Sequence, residues 1–127
     1  SWDTSNVIDM SWMFSSALHF NQDIGSWKTS NVIDMSRTFD SAIRFDKDIG
    51  NWETSNVRNM EFMFSGATRF NHDIGDWDTS NVTNMQYMFF SAEHFNQDLT
   101  RWNVQNVTNS LQFATHSKLA LINYPKF

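Results

Sequence analysis

The chain has 127 residues, a formal net charge of −5, twelve Phe, six Trp and no Cys. That length accommodates one domain, and the nine basic residues are too few and too scattered for a nucleic-acid or anionic-lipid surface. Disulfide staples and thiolate metal sites are excluded, and no apolar run approaches the roughly 18 residues of a membrane span.

From the N-terminus, Trp2-Asp3-Thr4-Ser5-Asn6-Val7 opens a phrase that returns 25 residues later as Trp27-Lys28-Thr29-Ser30-Asn31-Val32. It recurs at Trp52 and Trp77, and with drift as Trp102-Asn103-Val104-Gln105-Asn106-Val107. A fixed period of this kind announces stacked repeats, none of which can enclose its own apolar side chains. The chain opens at Ser1-Trp2, inside a repeat and without Met, and so reads as an excised or processed piece of a longer protein.

After the phrase, apolar residues fall at Val7, Met10, Phe14 and Ala17, and again at Val32, Met35, Phe39 and Ala42. Spacings of three and four residues, preceded by Thr, Ser and Asn as N-cap residues, predict a short helix or helical turn of about ten residues. Next comes Phe20-Asn21-Gln22-Asp23-Ile24-Gly25. Phe and Ile on one face with Asn and Asp on the other predict a short strand ended by Gly, pairing in parallel with its copies. The expected architecture is therefore an α/β repeat solenoid, with one short parallel strand and one short helix or helical turn per 25-residue repeat. Residues 1–109 hold four to five repeats, with Trp at 2, 27, 52, 77 and 102. Residues 110–127 depart from the pattern: Ser110 and Ala114 replace Met and Phe, and Leu111, Phe113, Leu119, Leu121, Ile122, Tyr124 and Phe127 form a new apolar set. They read as a C-terminal cap, or as a tail that packs on another chain.

Stacking turns equivalent positions into columns. Asp23, Asp48, Asp73 and Asp98 form one, beside Asn21, Asp46, Asn71 and Asn96. Such carboxylates are expected to cap turns, with a Ca²⁺ ladder as the alternative. Thr4, Thr29, Thr54 and Thr79 either close turns or present hydroxyls to ice or a polysaccharide, while Asn6, Asn31, Asn56, Asn81 and Asn106 suit a buried amide ladder. Position 12 of the unit differs between copies, carrying Trp12, Arg37, Phe62 and Tyr87; position 19 carries His19, Arg44, Arg69 and His94. Large variable aromatic and basic side chains suit a partner-binding surface. The four His residues lack metal-ligand spacing, and no nucleophile–base arrangement stands out from the repeat.

The phrase Trp-Asp-Thr-Ser-Asn-Val-x-x-Met-x-x-Met-Phe, continued by Phe-Asn-x-Asp-Ile-Gly, resembles the 25-residue surface repeat of Mycoplasma lipoproteins and BspA-like bacterial surface proteins. The resemblance covers about residues 1–109 and implies a leucine-rich-repeat-like solenoid displayed outside the cell. The expected function is non-catalytic adhesion or protein recognition, without cofactor, toward a protein or glycan on another cell or matrix. A carbohydrate- or ice-binding ladder and a self-associating structural repeat are the alternatives.

Overall fold

The computed structural model describes residues 2–127. It is a stack of five coils, 2–26, 27–51, 52–76, 77–101 and 102–126, each opened by its Trp. The expected helix-and-strand unit is overturned. Among the described residues the only regular element is a 3-10 helix, Leu121–Asn123. Parallel pairing does occur, but as single bridges, Asp9 to Asp34 to Asn59 to Asn84 to Asn109. They run through the segment where a helix was expected, and the Phe20–Gly25 segment forms no strand. A leucine-rich-repeat-like alternation of strands and helices is therefore absent from the described residues.

The reason lies in how the backbone divides its hydrogen bonds. N–H groups at positions 10, 12, 14 and 16 leave the coil for carbonyls at positions 9, 11, 13 and 15 of the next. In coil 2 these are Met35 to Asn59 (3.0 Å), Arg37 to Glu61 (2.9 Å), Phe39 to Met63 (2.9 Å) and Ser41 to Ser65 (2.7 Å). The intervening N–H groups close β-turns within the coil, Thr38 to Met35, Asp40 to Arg37 and Ala42 to Phe39. Position 11 is served by a side chain: Asp34 Oδ1 accepts from Ser36 N–H at 2.8 Å, and Asn59 from Glu61 at 2.9 Å. In coil 2 every N–H from Met35 to Ala42 thus has a partner, as burial between coils demands.

Alternation of this kind requires left-handed residues. Position 12 (Trp12, Arg37, Phe62, Tyr87, Gln112) and position 16 (Ser16, Ser41, Gly66, Ser91, His116) all have φ between 54° and 69°. No α-helix survives two such residues four apart. Overlapping turns still repeat an apolar side chain every three or four residues, so the stripe is buried as expected while the helix is not formed.

Between coils the side chains stack. Phe39, Phe64 and Phe89 stand 5.4–5.5 Å apart, Phe45, Phe70 and Phe95 5.8–5.9 Å, and Trp27–Trp52 and Trp77–Trp102 6.5 and 6.4 Å. The indole N–H of Trp52, Trp77 and Trp102 donates to the carbonyl of Ile24, Ile49 and Ile74 at 3.0–3.1 Å. At the C-terminal end Ala114 leaves out a ring of the Phe column, and Tyr124 and Phe127 pack against Phe113 instead.

Gly25, Gly50 and Gly75 mark the tightest approach between coils. A Cβ on Gly50 would lie 2.6 Å from the Asp73 carbonyl oxygen, and one on Gly25 2.5 Å from that of Asp48. Thr100 occupies the position in coil 4, where the C-terminal segment follows instead of a regular coil. Gly50→Ala is expected to cost about 1–3 kcal/mol through this overpacking, whereas Thr100→Ala costs under about 1 kcal/mol. Equal midpoints for the two variants in urea unfolding would contradict the assignment.

Candidate functional site

Position 12 forms a continuous ladder on the surface. Its backbone is fully occupied: Arg37 donates N–H to Glu61 and accepts at its carbonyl from Asp40 N–H, and the pattern repeats at Trp12, Phe62 and Tyr87. The side chains are held by one another. The Arg37 guanidinium lies 4.6 Å from the Trp12 ring and 3.9 Å from the Phe62 ring, and is fixed by Asp40 Oδ2 at 2.8 Å. Phe62 and Tyr87 stack at 4.8 Å with planes 2° apart. Trp12 is 58% exposed, and the other three are partly exposed. Each left-handed non-glycine residue costs roughly 1–2 kcal/mol, and bulky residues at such backbone geometry are uncommon away from functional surfaces.

Two residues that sequence reasoning missed extend the ladder. Phe90, at position 15, lies 5.2 Å from Tyr87, and His116 meets Phe90 edge-on at 5.6 Å. The available signal was Phe90 itself, which stands where the earlier coils have Ser15, Asp40 and Ser65.

The basic column is exposed throughout at His19, Arg44, Arg69 and His94. Among the described residues its one polar side-chain contact is His94 Nδ1 with the Thr68 carbonyl at 2.6 Å. Among the described residues no hydrogen bond, ion pair or ring contact joins it to the position-12 ladder, so the two columns are separate features. A cavity of about 480 Å³ opens at the N-terminal face, lined by Trp2, Phe14, Phe20, Ile24 and Trp27 among others. A shallower groove of about 360 Å³ follows Asn6, Ile8, Asn31, Ile33, Asn56 and Arg58.

The remaining columns hold coils together. Asp23, Asp48, Asp73 and Asp98 each accept, at Oδ1, the backbone N–H two residues ahead at 2.8–3.0 Å. Among the described residues no group of three or more acidic or His side chains is placed to hold a metal ion. The Thr column is buried, and each hydroxyl bridges to the next coil: Thr29 Oγ1 donates to the Glu53 carbonyl at 3.0 Å and accepts from Glu53 N–H at 2.9 Å. No hydroxyl array reaches solvent from it. In the Asn column, Asn31, Asn56, Asn81 and Asn106 donate to Ser carbonyls of the preceding coil at 2.7–2.8 Å. The expected ladder is present, but on the exposed surface instead of in the core.

Two outcomes follow from these columns. Thr29→Val keeps the shape but strands the part-buried Glu53 carbonyl and N–H that the hydroxyl bridges, for an expected loss of about 1–3 kcal/mol, and the natural Val104 in the last coil tolerates Thr with little change. The Asp98 carboxyl is held below the usual carboxylate range by the Thr100 hydroxyl and then its N–H, and Asp78 likewise by Ser80. A depressed folded pKa gives stability that is present above the unfolded value near about 3.9 and is lost as pH falls through the folded one. The melting temperature should therefore hold from neutrality to about pH 4.5 and fall below pH 4, with a smaller acid loss in Asp78→Asn/Asp98→Asn; an identical acid limb in that variant would assign the loss to other groups.

The comparisons with known proteins place this geometry in one family. No curated protein and no solved structure matches the chain. The family described as "Mycoplasma protein of unknown function, DUF285" matches residues 1–53 and, in an overlapping match, residues 26–122. These matches span nearly all of the 127 residues, and the chain belongs to that Mycoplasma family.

Proposed function

We propose that the chain is a non-catalytic recognition module that works outside the cell, binding a protein through the Trp12, Arg37, Phe62 and Tyr87 ladder. The observation that carries this reading is the ladder itself. Position 12 differs in every coil, and its side chains lie outside the buried Phe and Trp columns while packing on one another from coil to coil. Conformational freedom is removed in advance, because Arg37 is clamped between two rings and pinned by Asp40. Rigid aromatic and Arg anchors are the residues that dominate protein interfaces. The likeness of the Trp-Asp-Thr-Ser-Asn-Val phrase to surface repeats of Mycoplasma lipoproteins and BspA-like proteins supports a location at the cell surface. Among the described residues no helix is long and apolar enough to cross a membrane.

The same geometry weighs against a sugar platform at this ladder. Stacking a sugar needs a bare ring face, and the facing sides of Trp12, Phe62 and Tyr87 are taken by Arg37 or by one another. The ladder offers edges, a guanidinium and a phenol, which suit polypeptide groups. The exposed basic column at His19, Arg44, Arg69 and His94 supplies a second, independent contact surface in this reading.

The test is titration of the labelled chain onto cultured cells and immobilised matrix proteins, before and after protease or glycosidase treatment. Binding is expected to vanish with protease and survive glycosidase. Trp12→Ala combined with Tyr87→Ala should weaken it about 10- to 30-fold or more, with thermal unfolding little changed because both side chains lie outside the core. Loss on glycosidase treatment alone would hand the function to the glycan reading. Full binding by the double variant would remove the ladder from it.

A further inference from the structure

The recognition ladder repeats in a way that selects its occupant. Phe62 and Tyr87 stack in successive coils with planes 2° apart, so their faces point along the stack and their rims are what solvent meets. Arg37, gripped between the Trp12 and Phe62 rings, likewise shows only the rim of its guanidinium. Donors and a bare ring therefore alternate from coil to coil: Arg37 N–H groups in coil 2, the Phe62 rim in coil 3 and the Tyr87 hydroxyl in coil 4. One guanidinium N–H, on Nη1, is committed to Asp40. The others, and the Tyr87 hydroxyl, have no protein acceptor among the described residues. Because Asp40 also cancels the Arg37 charge, the ladder calls for an uncharged acceptor such as a peptide carbonyl, more than for a carboxylate.

Spacing narrows the choice. Coils joined by parallel bridges are about 4.8 Å apart, so the two donor coils lie about 9.6 Å from each other along the stack. A polyproline II segment advances about 9.3 Å per turn of three residues, makes no internal hydrogen bonds and leaves its carbonyls open. Laid along the stack, it brings an open carbonyl to Arg37 and another to Tyr87 one turn later, with apolar side chains against Phe62 between them. An α-helix spends its carbonyls internally. A β-strand repeats about every 6.7 Å, out of step with one coil and with two.

A second feature stands at the Tyr87 end. Phe90 meets Tyr87 at 5.2 Å with planes 54° apart, and His116 backs Phe90 edge-on at 5.6 Å. Tyr87 and Phe90 are both partly exposed, and an aromatic corner of this kind accepts a compact apolar ring such as that of proline. Resting on the recognition reading above, we propose that the partner presents a proline-rich segment in the polyproline II conformation, lying along the stack across coils 2 to 4. Such a segment is ordered before it docks, and Arg37 is already held, so little conformational freedom is lost on binding.

Titration of the isotope-labelled chain with a proline homopolymer of about ten residues, followed by NMR, tests it. Saturable shifts are expected at the Arg37, Phe62, Tyr87 and Phe90 amides, and none with a helical Ala-rich or an extended Thr-rich peptide of the same length. Tyr87→Ala with Phe90→Ala should lower the affinity about 10-fold or more. Tyr87→Phe removes only the donor, leaves the stacked ring in place and should lower it about 2- to 10-fold. Absence of shifts at the ladder up to millimolar homopolymer overturns the proposal, and so do equal shifts with the helical peptide. Competition separates it from the broader reading: homopolymer that displaces the chain from cells supports both. If the homopolymer binds nowhere while Trp12→Ala with Tyr87→Ala still weakens attachment to cells, the ladder keeps its role and the proline-rich partner alone is ruled out.

Discussion

The structure depends on one constraint: each coil must send half of its central N–H groups to its neighbour and keep the other half for its own turns. Positions 12 and 16 are left-handed because only a reversal of handedness turns alternate peptide groups in opposite directions. The repeat is 25 residues long because each coil must return in register with the row of carbonyls that it serves. Asp or Asn at position 9 belongs to the same scheme, since it satisfies the position-11 N–H that neither set of bonds uses. The Thr column and the Trp indoles add further links between coils, and the stacked Phe and Trp rings fill the space enclosed. Roughly 1–2 kcal/mol of strain at each left-handed residue is offset by backbone bonds and ring burial that only a neighbouring coil supplies. Stability is therefore a property of adjacent pairs, as in other linear repeats.

A further consequence is direction. Inside the stack, N–H groups at positions 10, 12, 14 and 16 bond to the following coil, and the N–H at position 8 bonds to the preceding one. The stack has a donor end and an acceptor end, unlike a bundle whose two ends are equivalent. Any coil that joins the stack must present the opposite row to its neighbour.

The sequence made the period, the core and several columns legible, and misled on the backbone. Met35, Phe39, Val57, Phe64 and Trp77 are buried as their recurrence implied, and the Asp23 column caps turns in the way its chemistry suggested. The helix was misread because overlapping β-turns repeat an apolar side chain at nearly helical spacing. The true signals were Asp or Asn two residues ahead of an N–H that needs an acceptor, and Ser or Gly recurring at position 16. Position 12 hid its conformation altogether. Trp, Arg, Phe and Tyr are residues that resist a positive φ, so nothing in their identity announced it. The strand was misplaced for a related reason: Phe20 to Gly25 alternates like a strand, yet its links to the next coil run through side chains such as Asn21 Oδ1, which accepts from Asp46 N–H.

That hidden conformation also explains why position 12 is free to vary. Its N–H and carbonyl are both committed, one to the next coil and one to its own turn, so the backbone secures the fold whatever side chain is attached. The left-handed geometry leaves that side chain on the surface, outside the packed Phe and Trp columns. Substitution there changes the face shown to a partner, and the ladder's own contacts, without opening the buried Phe and Trp columns. At position 14, by contrast, the same change would open the Phe column. A repeat that separates its holding groups from its displayed groups in this way can alter what it recognises while keeping what it is. The run from Trp12 through Arg37 and Phe62 to Tyr87 is where this chain uses that freedom.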